Sequence, residues 1–421
     1  MRSVALVLAL IGTGCSAQTA PAGGAPAARS SRANMATTPL PFTKTDLGVF
    51  ESPFAIAILP DGSALVTEKA GALKLRTTDG GIATVSGVPA VAKGGQGGLL
   101  DVALAPDFTR SRTIYLTYAE PRPDGSSLAL ARATLQLHQV QCVRAPCPPQ
   151  ASLSDVSVIW RAGSDGKGGQ FGAVIAFAPD GKSLFLSSGE RQRFTPAQDS
   201  SQALGKILHL TLDGKPAPGN PMAGRTGAAT VQVFDPPKNS SLAASAPART
   251  VQARQPNTTP AETWSTGHRN PYGLVFAGDG RLWEVEMGPK GGDELNLIQP
   301  GKNYGWPRVS NGDNYDGTPI PDHAPGDGFY PPKLWWNPSI SPGGMIYYTG
   351  AMFPQYRGSL FIAALSGTAL LRVSVKGDTA KAENAWDTGA RIRDVAQAPD
   401  GAIWMLEDGS GAHLWRLTPA R

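Results

Sequence analysis

The residues best suited to chemistry are concentrated between positions 267 and 307. Gly267–Leu274 reads GHRNPYGL, residues 286–296 read EMGPKGGDELN, and residues 300–307 read PGKNYGWP. Polar and aromatic residues at this density, broken by glycines, are typical of a loop that makes close contacts. Asp293 and Glu294, beside backbone carbonyls that Gly and Pro leave exposed, suit a hard oxygen-seeking cation such as calcium. An ordinary acidic turn has the same spacing, so spacing alone leaves both interpretations open.

Several other chemistries have no matching motif. The sequence has no Gly-x-Ser-x-Gly elbow, no Walker phosphate loop and no His-Glu-x-x-His zinc helix. The five histidines show no metal-ligand spacing (His138, His209, His268, His323, His413). The glycine-rich run at 166–169 precedes a predicted strand rather than a helix, so we expect a surface loop there and not a dinucleotide-binding loop.

The composition favours a fold of many short strands. Of 421 residues, 41% are hydrophobic, 50 are Gly and 37 are Pro, an apolar content that excludes a disordered protein. Only 17% are charged, so long solvated helices are not expected. The net charge of +5 is scattered, which argues against a nucleic-acid-binding surface. No apolar run of membrane-spanning length follows the N-terminus, so the sequence predicts no such helix.

The N-terminus predicts export. Arg2 and the apolar run at 4–11 are typical of a secretory signal peptide, which we expect to occupy residues 1–17. Cleavage before Cys15 would leave a lipoprotein anchored at that cysteine in the outer membrane. Simple cleavage after Ala17 would release the protein into the periplasm, and both outcomes stay open. Residues 18–43, rich in Ala, Pro, Ser and Thr, predict a disordered tether.

Two further cysteines flank a short proline-stiffened loop. Cys142 and Cys147 lie in QCVRAPCP, and export places them in an oxidising compartment. We therefore expect a local disulfide, with two free thiols in a flexible loop as the alternative.

One strand–turn–strand pattern recurs along the chain. An alternating apolar stretch, a turn resembling Pro-Asp-Gly and a second strand surround positions 60–62, 106–108, 179–181, 278–280 and 399–401, and a weaker copy spans 345–362. Asp-Gly supplies the positive φ of a tight hairpin. Five clear copies and one weak copy predict an all-β, six-bladed β-propeller over residues 44–421, with a sandwich as the alternative. The stretch 236–263, rich in Pro, Ala, Ser and Thr, is predicted to be a mobile loop insertion.

Four motifs resemble a known family. They are GGQGGLLD at 94–101, GHRNP at 267–271, GPKGGDELN at 288–296 and RIRD at 391–394. In this order they resemble the soluble glucose/sorbosone dehydrogenases, six-bladed propellers that use pyrroloquinoline quinone (PQQ) and calcium. The resemblance covers residues 47–417 apart from the insertion. It implies oxidation of aldoses at the anomeric carbon and transfer of the electrons to a further acceptor.

The resemblance also implies roles for individual residues. Arg391 and Arg393 match the pair that holds the PQQ carboxylates, Arg269 and Asn270 match residues flanking the quinone, and Gln96 matches a residue near its reactive edge. The carbonyls of Gly288 and Pro289 match the ligands of the cofactor's calcium. The resemblance places Asp293, Glu294 and Tyr304 at a second, structural calcium. It places Trp336 at the substrate mouth, where packing between blades is an equal alternative.

The departures from the family pattern fall on proton transfer. The pattern has His, the general base, at Gln170, and a carboxamide cannot accept a proton at neutral pH. It has Arg at Val174, Asp at Glu190 and often Lys or Arg at Ser366. Glu190 is a hypothetical substitute base. The sequence therefore predicts a PQQ-dependent sugar dehydrogenase whose activity is weak, altered or lost.

Two alternatives stay open at this stage. The first is a non-catalytic calcium-binding propeller that recognises a glycan or a protein. The second is a calcium-dependent hydrolase such as a lactonase, in which the metal polarises a carbonyl.

Overall fold

The described residues form a ring of six four-stranded blades around a central channel. The computed structural model describes residues 1, 30–33, 36–138 and 150–420. In each blade, three sequential strands run antiparallel outward from the channel and a fourth completes the sheet. The predicted all-β, six-bladed β-propeller is confirmed. Residues 2–17 of the predicted signal peptide, including Cys15, and the Cys142–Cys147 pair lie outside the described residues.

The strand bounds, from the channel outward, are as follows. Blade 1 contains Pro53–Ile58, Ala64–Glu68, Ala72–Arg76 and Ile82–Val85; blade 2 contains Leu99–Leu104, Thr113–Arg122, Gly125–His138 and Gln150–Arg161; blade 3 contains Gly172–Phe177, Ser183–Ser188, Lys206–Thr211 and Thr263–Thr266. Blade 4 contains Pro271–Phe276, Leu282–Glu286, Asp293–Ile298 and Leu334–Trp336; blade 5 contains Pro342–Tyr347, Ser359–Ala364, Ala369–Lys376 and Thr379–Asp387; blade 6 contains Ile392–Gln397, Ile403–Glu407, Ala412–Pro419 and Phe42–Phe50.

The remaining elements are short. Two small sheets pair Thr230–Phe234 with Ala248–Gln252 and Lys290–Gly291 with Gly312–Asp313. The helices are α1 (Phe108–Ser111), α2 (Thr259–Glu262) and the 3₁₀ turns Thr195–Gln198, Ser240–Ser245 and Pro354–Tyr356. Within the described ranges, no helix has the length and apolar character needed to cross a membrane.

Each predicted hairpin forms the two inner strands of one blade. At the turn of blade 1, Gly62 has a φ of +87°, a conformation that favours glycine. The Asp61 carboxylate accepts a hydrogen bond from the Ser63 backbone N–H at 2.9 Å, and Asp400 accepts one from Ala402 in the same way in blade 6. The turn chemistry therefore repeats around the ring and sets the strand register.

The N-terminal segment is more ordered than the sequence predicted. Phe42–Phe50 pairs antiparallel with Ala412–Pro419, so the first long strand closes the last blade. Ser31–Arg32 adds a parallel strand to blade 4, and Thr38–Pro39 adds one to blade 5. The described part of the predicted tether is thus bound to the propeller, because unpaired outer strand edges accept further backbone hydrogen bonds.

The predicted mobile insertion also has ordered structure. Residues 236–263 include the 3₁₀ turn Ser240–Ser245, one strand of a two-stranded sheet, and α2. Glu262 is 1% exposed and accepts hydrogen bonds from the Trp160 indole and the Arg254 guanidinium. Buried polar contacts of this kind hold the segment against blades 2 and 3. Its low-complexity composition concealed these contacts.

The apolar residues fill the space between adjacent blades. Both faces of the inner strands are buried, as in Leu184–Leu186 of blade 3 and Leu360–Ile362 of blade 5. Radial packing buries each sheet against two neighbours, which explains the continuous apolar runs. The loops that precede the six innermost strands consequently meet on one face of the ring.

Candidate functional site

The loops before three innermost strands bring the predicted cofactor residues together. The Gln96 side-chain oxygen accepts hydrogen bonds from the Gln170 backbone N–H at 2.7 Å and from the Tyr272 hydroxyl at 3.1 Å. The Asn270 side-chain oxygen accepts one from the Gly172 N–H at 3.2 Å. Residues far apart in sequence therefore form one site at the mouth of the channel.

Gln170, Glu190 and Arg269 form a buried cluster at the centre of this site. Gln170 is 4% exposed and Glu190 is fully buried. The orientation of the Gln170 amide follows from its partners. Its nitrogen donates to Glu190 Oε1, while its oxygen accepts from Arg269 Nη2 at 2.8 Å. Both ends of the carboxamide are thus occupied by protein groups.

The Glu190 carboxylate is enclosed by its own loop. Oε1 accepts a hydrogen bond from the Gln192 N–H at 3.1 Å, and Oε2 accepts one from the Phe194 N–H. Burial raises the pKa of Glu190 to about 6, against the opposing influence of the Arg269 charge and the backbone donors. The carboxylate is fully buried, and its contact with a side chain of the site is the one with the Gln170 amide. Glu190 therefore acts on the site through Gln170.

Buried arginines fix the loop that carries Gln170. Arg191 is 1% exposed and donates to the backbone carbonyls of Gly166, Gly168 and Gly169 at 2.8–3.2 Å. Its guanidinium also lies 3.8 Å from the centre of the Phe171 ring. Gln170 itself has a φ of +53°, a left-handed conformation that needs such support. The sequence placed 166–169 correctly in a loop but gave no sign of this clamp.

A cluster of cations lies on the opposite side of the mouth. Asp408 accepts hydrogen bonds from Arg391 Nε at 3.0 Å and from Arg393 Nη2 at 2.8 Å. Burial opposes ionisation of Asp408, but the two arginines outweigh it and hold its pKa below 3.8. Burial and the charges of Arg393, Arg391 and Lys93 lower the pKa of Lys69. Three basic side chains around one carboxylate leave a net positive charge, which suits a polyanion. The sequence prediction did not include Lys69.

The alternation of side chains along two strands of blade 4 changes the predicted set of calcium donors. Side chains alternate between faces along Leu282–Glu286 and Asp293–Ile298, and Glu286 faces Glu294 across the pair. Asp293 lies on the other face. Its two oxygens accept four hydrogen bonds, from the Gly288, Ile340 and Ser341 N–H groups and the Ser339 hydroxyl, at 2.7–2.8 Å. Asp293 is therefore a backbone-capping residue.

Glu284, Glu286 and Glu294 share one buried face with Asn296. The Asn296 amide nitrogen donates to all three carboxylates, at 3.1, 3.2 and 3.3 Å respectively. Burial and the charge of Glu286 raise the pKa of Glu284 well above 4.5. Glu284 Oε1 and Asn296 Oδ1 are buried and have no hydrogen-bond partner among the described residues. The sequence prediction missed Glu284 and Glu286. The Glu-Val-Glu run at 284–286 could have indicated them, because it places both carboxylates on one face of a strand.

A small cavity adjoins this carboxylate cluster, and Tyr304, another predicted calcium donor, lies beside it. His268, Glu284 and Glu286 offer ligand atoms within 4.8 Å of one another. A cavity of about 10 Å³, room for a single water or ion, is lined by Glu286, Glu294, Gly288 and Tyr304 among others. The Tyr304 hydroxyl donates to the Leu297 carbonyl at 2.5 Å, so Tyr304 lines this cavity without offering its oxygen.

The Gly288–Pro289 turn lies directly below Arg269. Arg269 Nη1 donates to the Gly288 carbonyl at 2.7 Å and to the Met287 carbonyl at 2.9 Å. A Cβ added at Gly288 would lie 2.3 Å from the Gly291 carbonyl oxygen, so only glycine fits. Pro289 is buried beside it. The predicted turn is in place, with one carbonyl engaged by Arg269.

Trp336 does not line the mouth. It is fully buried in an apolar cluster with Leu295, Leu334 and Ile340, between blades 4 and 5. The packing alternative is therefore correct, because its strand register places the indole in the interblade core. Ser366 is exposed, and its hydroxyl donates to the Ser339 carbonyl at 3.0 Å, so this position supplies no cation.

The channel contains two carboxylates whose role the sequence did not indicate. A cavity of about 220 Å³ is lined by the innermost strands and by Asp101 and Asp394. Asp101 Oδ2 accepts from the Ile175 N–H at 2.8 Å, and Asp394 Oδ2 accepts from the Ile56 N–H at 2.9 Å. Each carboxylate thus joins adjacent blades. Burial raises the pKa of Asp101 to about 6 and that of Asp394 to about 7.

The chain is similar to sugar dehydrogenases along most of its length. The family model described as Glucose / Sorbosone dehydrogenase matches residues 50–234 and 241–416. Aldose sugar dehydrogenase YliI of Escherichia coli is 36% identical over 381 residues, covering 88% of this chain and 90% of that protein. The crystal structure of the soluble aldose sugar dehydrogenase from Escherichia coli in the apo-form is 33% identical with a TM-score of 0.74, covering 90% and 100% of the two chains. The PQQ-bound aldose sugar dehydrogenase from Streptomyces coelicolor is 27% identical with a TM-score of 0.66, covering 90% and 99%.

Proposed function

Because the chain belongs to the Glucose / Sorbosone dehydrogenase family, we propose that it is an exported oxidoreductase that uses PQQ and calcium to oxidise aldoses slowly at the anomeric carbon. The observation that carries this proposal is the convergence of Gln96, Arg269, Asn270 and Arg393 on one face of the ring. This binding half of the site has the donors and charges of a quinone cradle. The proton-transfer half has been rebuilt around Gln170.

The residues present fit PQQ, a planar ortho-quinone with three carboxylates. Arg391, Arg393 and Lys69 offer the positive charge that carboxylates require. Arg269 Nε is buried, has no hydrogen-bond partner within the part of the chain that the structure describes, and is available to a ligand oxygen. The exposed ring of Tyr315, 5.8 Å from the Arg269 guanidinium, offers a flat surface for a planar ring. PQQ held by these residues would supply the acceptor for the hydride that leaves the anomeric carbon.

The residues present also fit calcium, at a donor set that differs from the predicted one. Glu286 and Glu294 line the ion-sized cavity, and Glu284 has a buried oxygen without a partner. Three carboxylates around one amide leave excess negative charge that a divalent cation would neutralise. Calcium held there would brace the turn that presents the Gly288 carbonyl beneath Arg269.

The protein groups at the reaction centre explain why the reaction should be slow. The Gln170 oxygen accepts from Arg269, and its nitrogen donates to Glu190. No lone pair of a basic side chain in this trio faces the mouth. Loss of a positioned general base typically costs about 10²–10⁴-fold in rate. The same geometry favours a second candidate function, a non-catalytic propeller that binds a sugar ligand.

A titration separates these functions. Purified apo-protein is titrated with PQQ and calcium while the quinone absorbance is followed, and then a panel of aldoses is added. Slow bleaching of the quinone band is expected. Binding of PQQ without bleaching by any aldose would favour the non-catalytic function. No binding of PQQ would overturn the PQQ-dependent function and leave the non-catalytic one.

A matched pair of variants tests the cradle. Arg393→Ala removes a cation at the mouth and should weaken PQQ binding by about tenfold or more, as loss of one charged hydrogen-bonded contact implies. Arg281→Ala removes the same charge at the exposed turn on the far face, where Arg281 pairs with its neighbour Asp279. Equal effects of the two changes would contradict the assigned cradle.

A further inference from the structure

We propose that residues 235–247 form a strap along one side of the mouth that restricts the substrate to small sugars. This inference rests on the proposed function and names the class of substrate within it. The strap is the connection between the strands Thr230–Phe234 and Ala248–Gln252, which leave blade 3 between its third and fourth strands. It contains the 3₁₀ turn Ser240–Ser245.

One end of the strap is attached to the loop that carries Gln170. Lys167 Nζ forms an ion pair with Asp235 at 3.2 Å. The position of a Cβ on Gly168 is 3.3 Å from the Pro236 ring, so the strap packs directly on this loop. Arg249, just beyond the strap, donates to the Asp165 carbonyl at 3.3 Å. These contacts fix the strap on the blade 3 side.

The other end is attached to the loop that carries Tyr315. Asn239 Nδ2 donates to Asp316 Oδ2 at 2.5 Å, and the Ser240 N–H donates to Asn314 Oδ1 at 3.0 Å. Asn239 is 8% exposed and its oxygen caps the 3₁₀ turn through the Leu242 N–H at 3.0 Å. A single buried asparagine therefore orders the turn and locks it to the neighbouring rim loop.

The two joined loops lie on either side of the reaction centre. Gln170 directly follows the loop at 166–169, and Tyr315 lies between the two residues that hold the strap. The Arg269 guanidinium donates to the Tyr315 hydroxyl at 3.4 Å. The strap thus bridges the Gln170 side and the Arg269 side, and closes the mouth in that direction.

Part of the strap lies outside the family match. The family model matches residues up to 234 and again from 241, so residues 235–240, including Asn239, lie outside the match. Because the strap forms a wall on the side of the mouth toward blades 3 and 4, we expect it to obstruct a second sugar ring that extends in that direction. We therefore assign the strap a role in selecting single aldose units over oligosaccharides.

Two variants open the strap by different routes. Asn239→Ala combined with Asp316→Ala removes the lock and leaves the chain length unchanged. In the second variant, residues 235–247 are replaced by an Asn-Gly turn, which closes a two-residue hairpin between Phe234 and Ala248. Gln232→Ala is the control, because it removes an exposed 2.9 Å hydrogen bond to Thr250 in the same hairpin and leaves the rim contacts intact.

The measurement is kcat/KM for glucose and for maltose with PQQ and calcium, together with fluorescence titration of both sugars into the calcium-loaded apo-protein. Both strap variants should raise the maltose-to-glucose ratio by at least about tenfold, the lower end of what a pocket wall discriminates. The control should leave it unchanged. Glucose turnover with an unchanged ratio in both variants would overturn the strap proposal alone. No turnover and no sugar binding in any variant would overturn the proposed function instead.

Discussion

Replacing Glu190 by Gln isolates the buried charge at the centre of the site. The change keeps the shape of the side chain and removes its ionisation. In the wild type, the carboxylate accepts hydrogen bonds from Gln192, Phe194 and Gln170. A carboxamide offers one acceptor and one donor, so one of these donors would face another N–H group. We therefore expect Glu190→Gln to lower the free energy of unfolding by about 1–3 kcal/mol, by an amount that should not depend on pH.

The stability difference between the wild type and Glu190→Gln also has a pH-dependent contribution, which comes from the titration of Glu190. Burial raises its pKa from 4.5 to about 6 in the folded protein. Between these two values the folded state holds the proton that the unfolded state has lost, so stability falls as the pH rises. A difference of about 1.5 units corresponds to about 2 kcal/mol. The wild type should therefore lose about 2 kcal/mol relative to Glu190→Gln between pH 4.5 and 6, with little further change above that range.

The assay is urea unfolding followed by tryptophan fluorescence across pH 4–7.5. Glu383→Gln is a matched control, since the Ser374 hydroxyl and Lys381 lower the pKa of that partly exposed carboxylate and its contribution should run in the opposite direction. A stability difference between wild type and Glu190→Gln that stays constant with pH would refute the buried-charge reasoning. A reversed slope would show that Arg269 and the backbone donors outweigh burial.

Three more changes test other parts of the structure. Lys206→Met should cost about 3 kcal/mol of stability by urea unfolding, because the buried ammonium donates to three backbone carbonyls at 2.8–3.0 Å; an unchanged midpoint would contradict this. Chelation should lower the thermal unfolding midpoint of the wild type, whereas Glu286→Gln should remove that response; an equal response in both would place the calcium elsewhere. Gly288→Ala should destabilise the protein by about 2 kcal/mol or more, since the added methyl overlaps a carbonyl oxygen; calorimetry showing no loss would mean that the turn can adjust.

The fold could be predicted because its determinants are local. Each hairpin turn is specified by Asp and Gly within three residues, and the apolar alternation around it reports burial on both faces. The closure of the ring by the N-terminal strand could not be predicted from local sequence patterns. The strand Phe42–Phe50 pairs with residues about 370 positions later in the chain, and no local pattern encodes that partner.

The residues of the site could be predicted where a sequence motif determines the backbone conformation. They were harder to predict where the role of a side chain depends on which face of a strand it occupies. The motifs placed Gln96, Gln170 and Arg269 correctly at one mouth. Asp293 was wrongly grouped with Glu294, because adjacent residues in a strand point to opposite faces. The same alternation, applied to residues 284–286, would have identified Glu284 and Glu286. No sequence pattern indicated that Lys69 belongs to the cation cluster, since its proximity to Arg393 depends on the closure of blade 6 against blade 1.

The arrangement around Gln170 indicates how a general base could be restored. A histidine at this position needs one ring nitrogen oriented by a carboxylate and the other directed at the substrate. In this chain the carboxylate belongs to Glu190, one methylene longer than the Asp of the family pattern, and Arg269 occupies the second polar atom of residue 170. Gln170→His alone should therefore crowd the ring against Glu190 and recover little activity.

Gln170→His combined with Glu190→Asp provides the missing space and restores the pairing of the family pattern. The double variant should exceed the single histidine variant in kcat by about tenfold or more, within the range attributed to a positioned base. Glu190→Asp alone should show no gain, because Gln170 still cannot accept a proton. Steady-state rates of the four proteins, with glucose and saturating PQQ and calcium, measure the coupling between the two positions. Independent, additive effects of the two substitutions would mean that the carboxylate does not orient residue 170, and that the rate is limited elsewhere in the site.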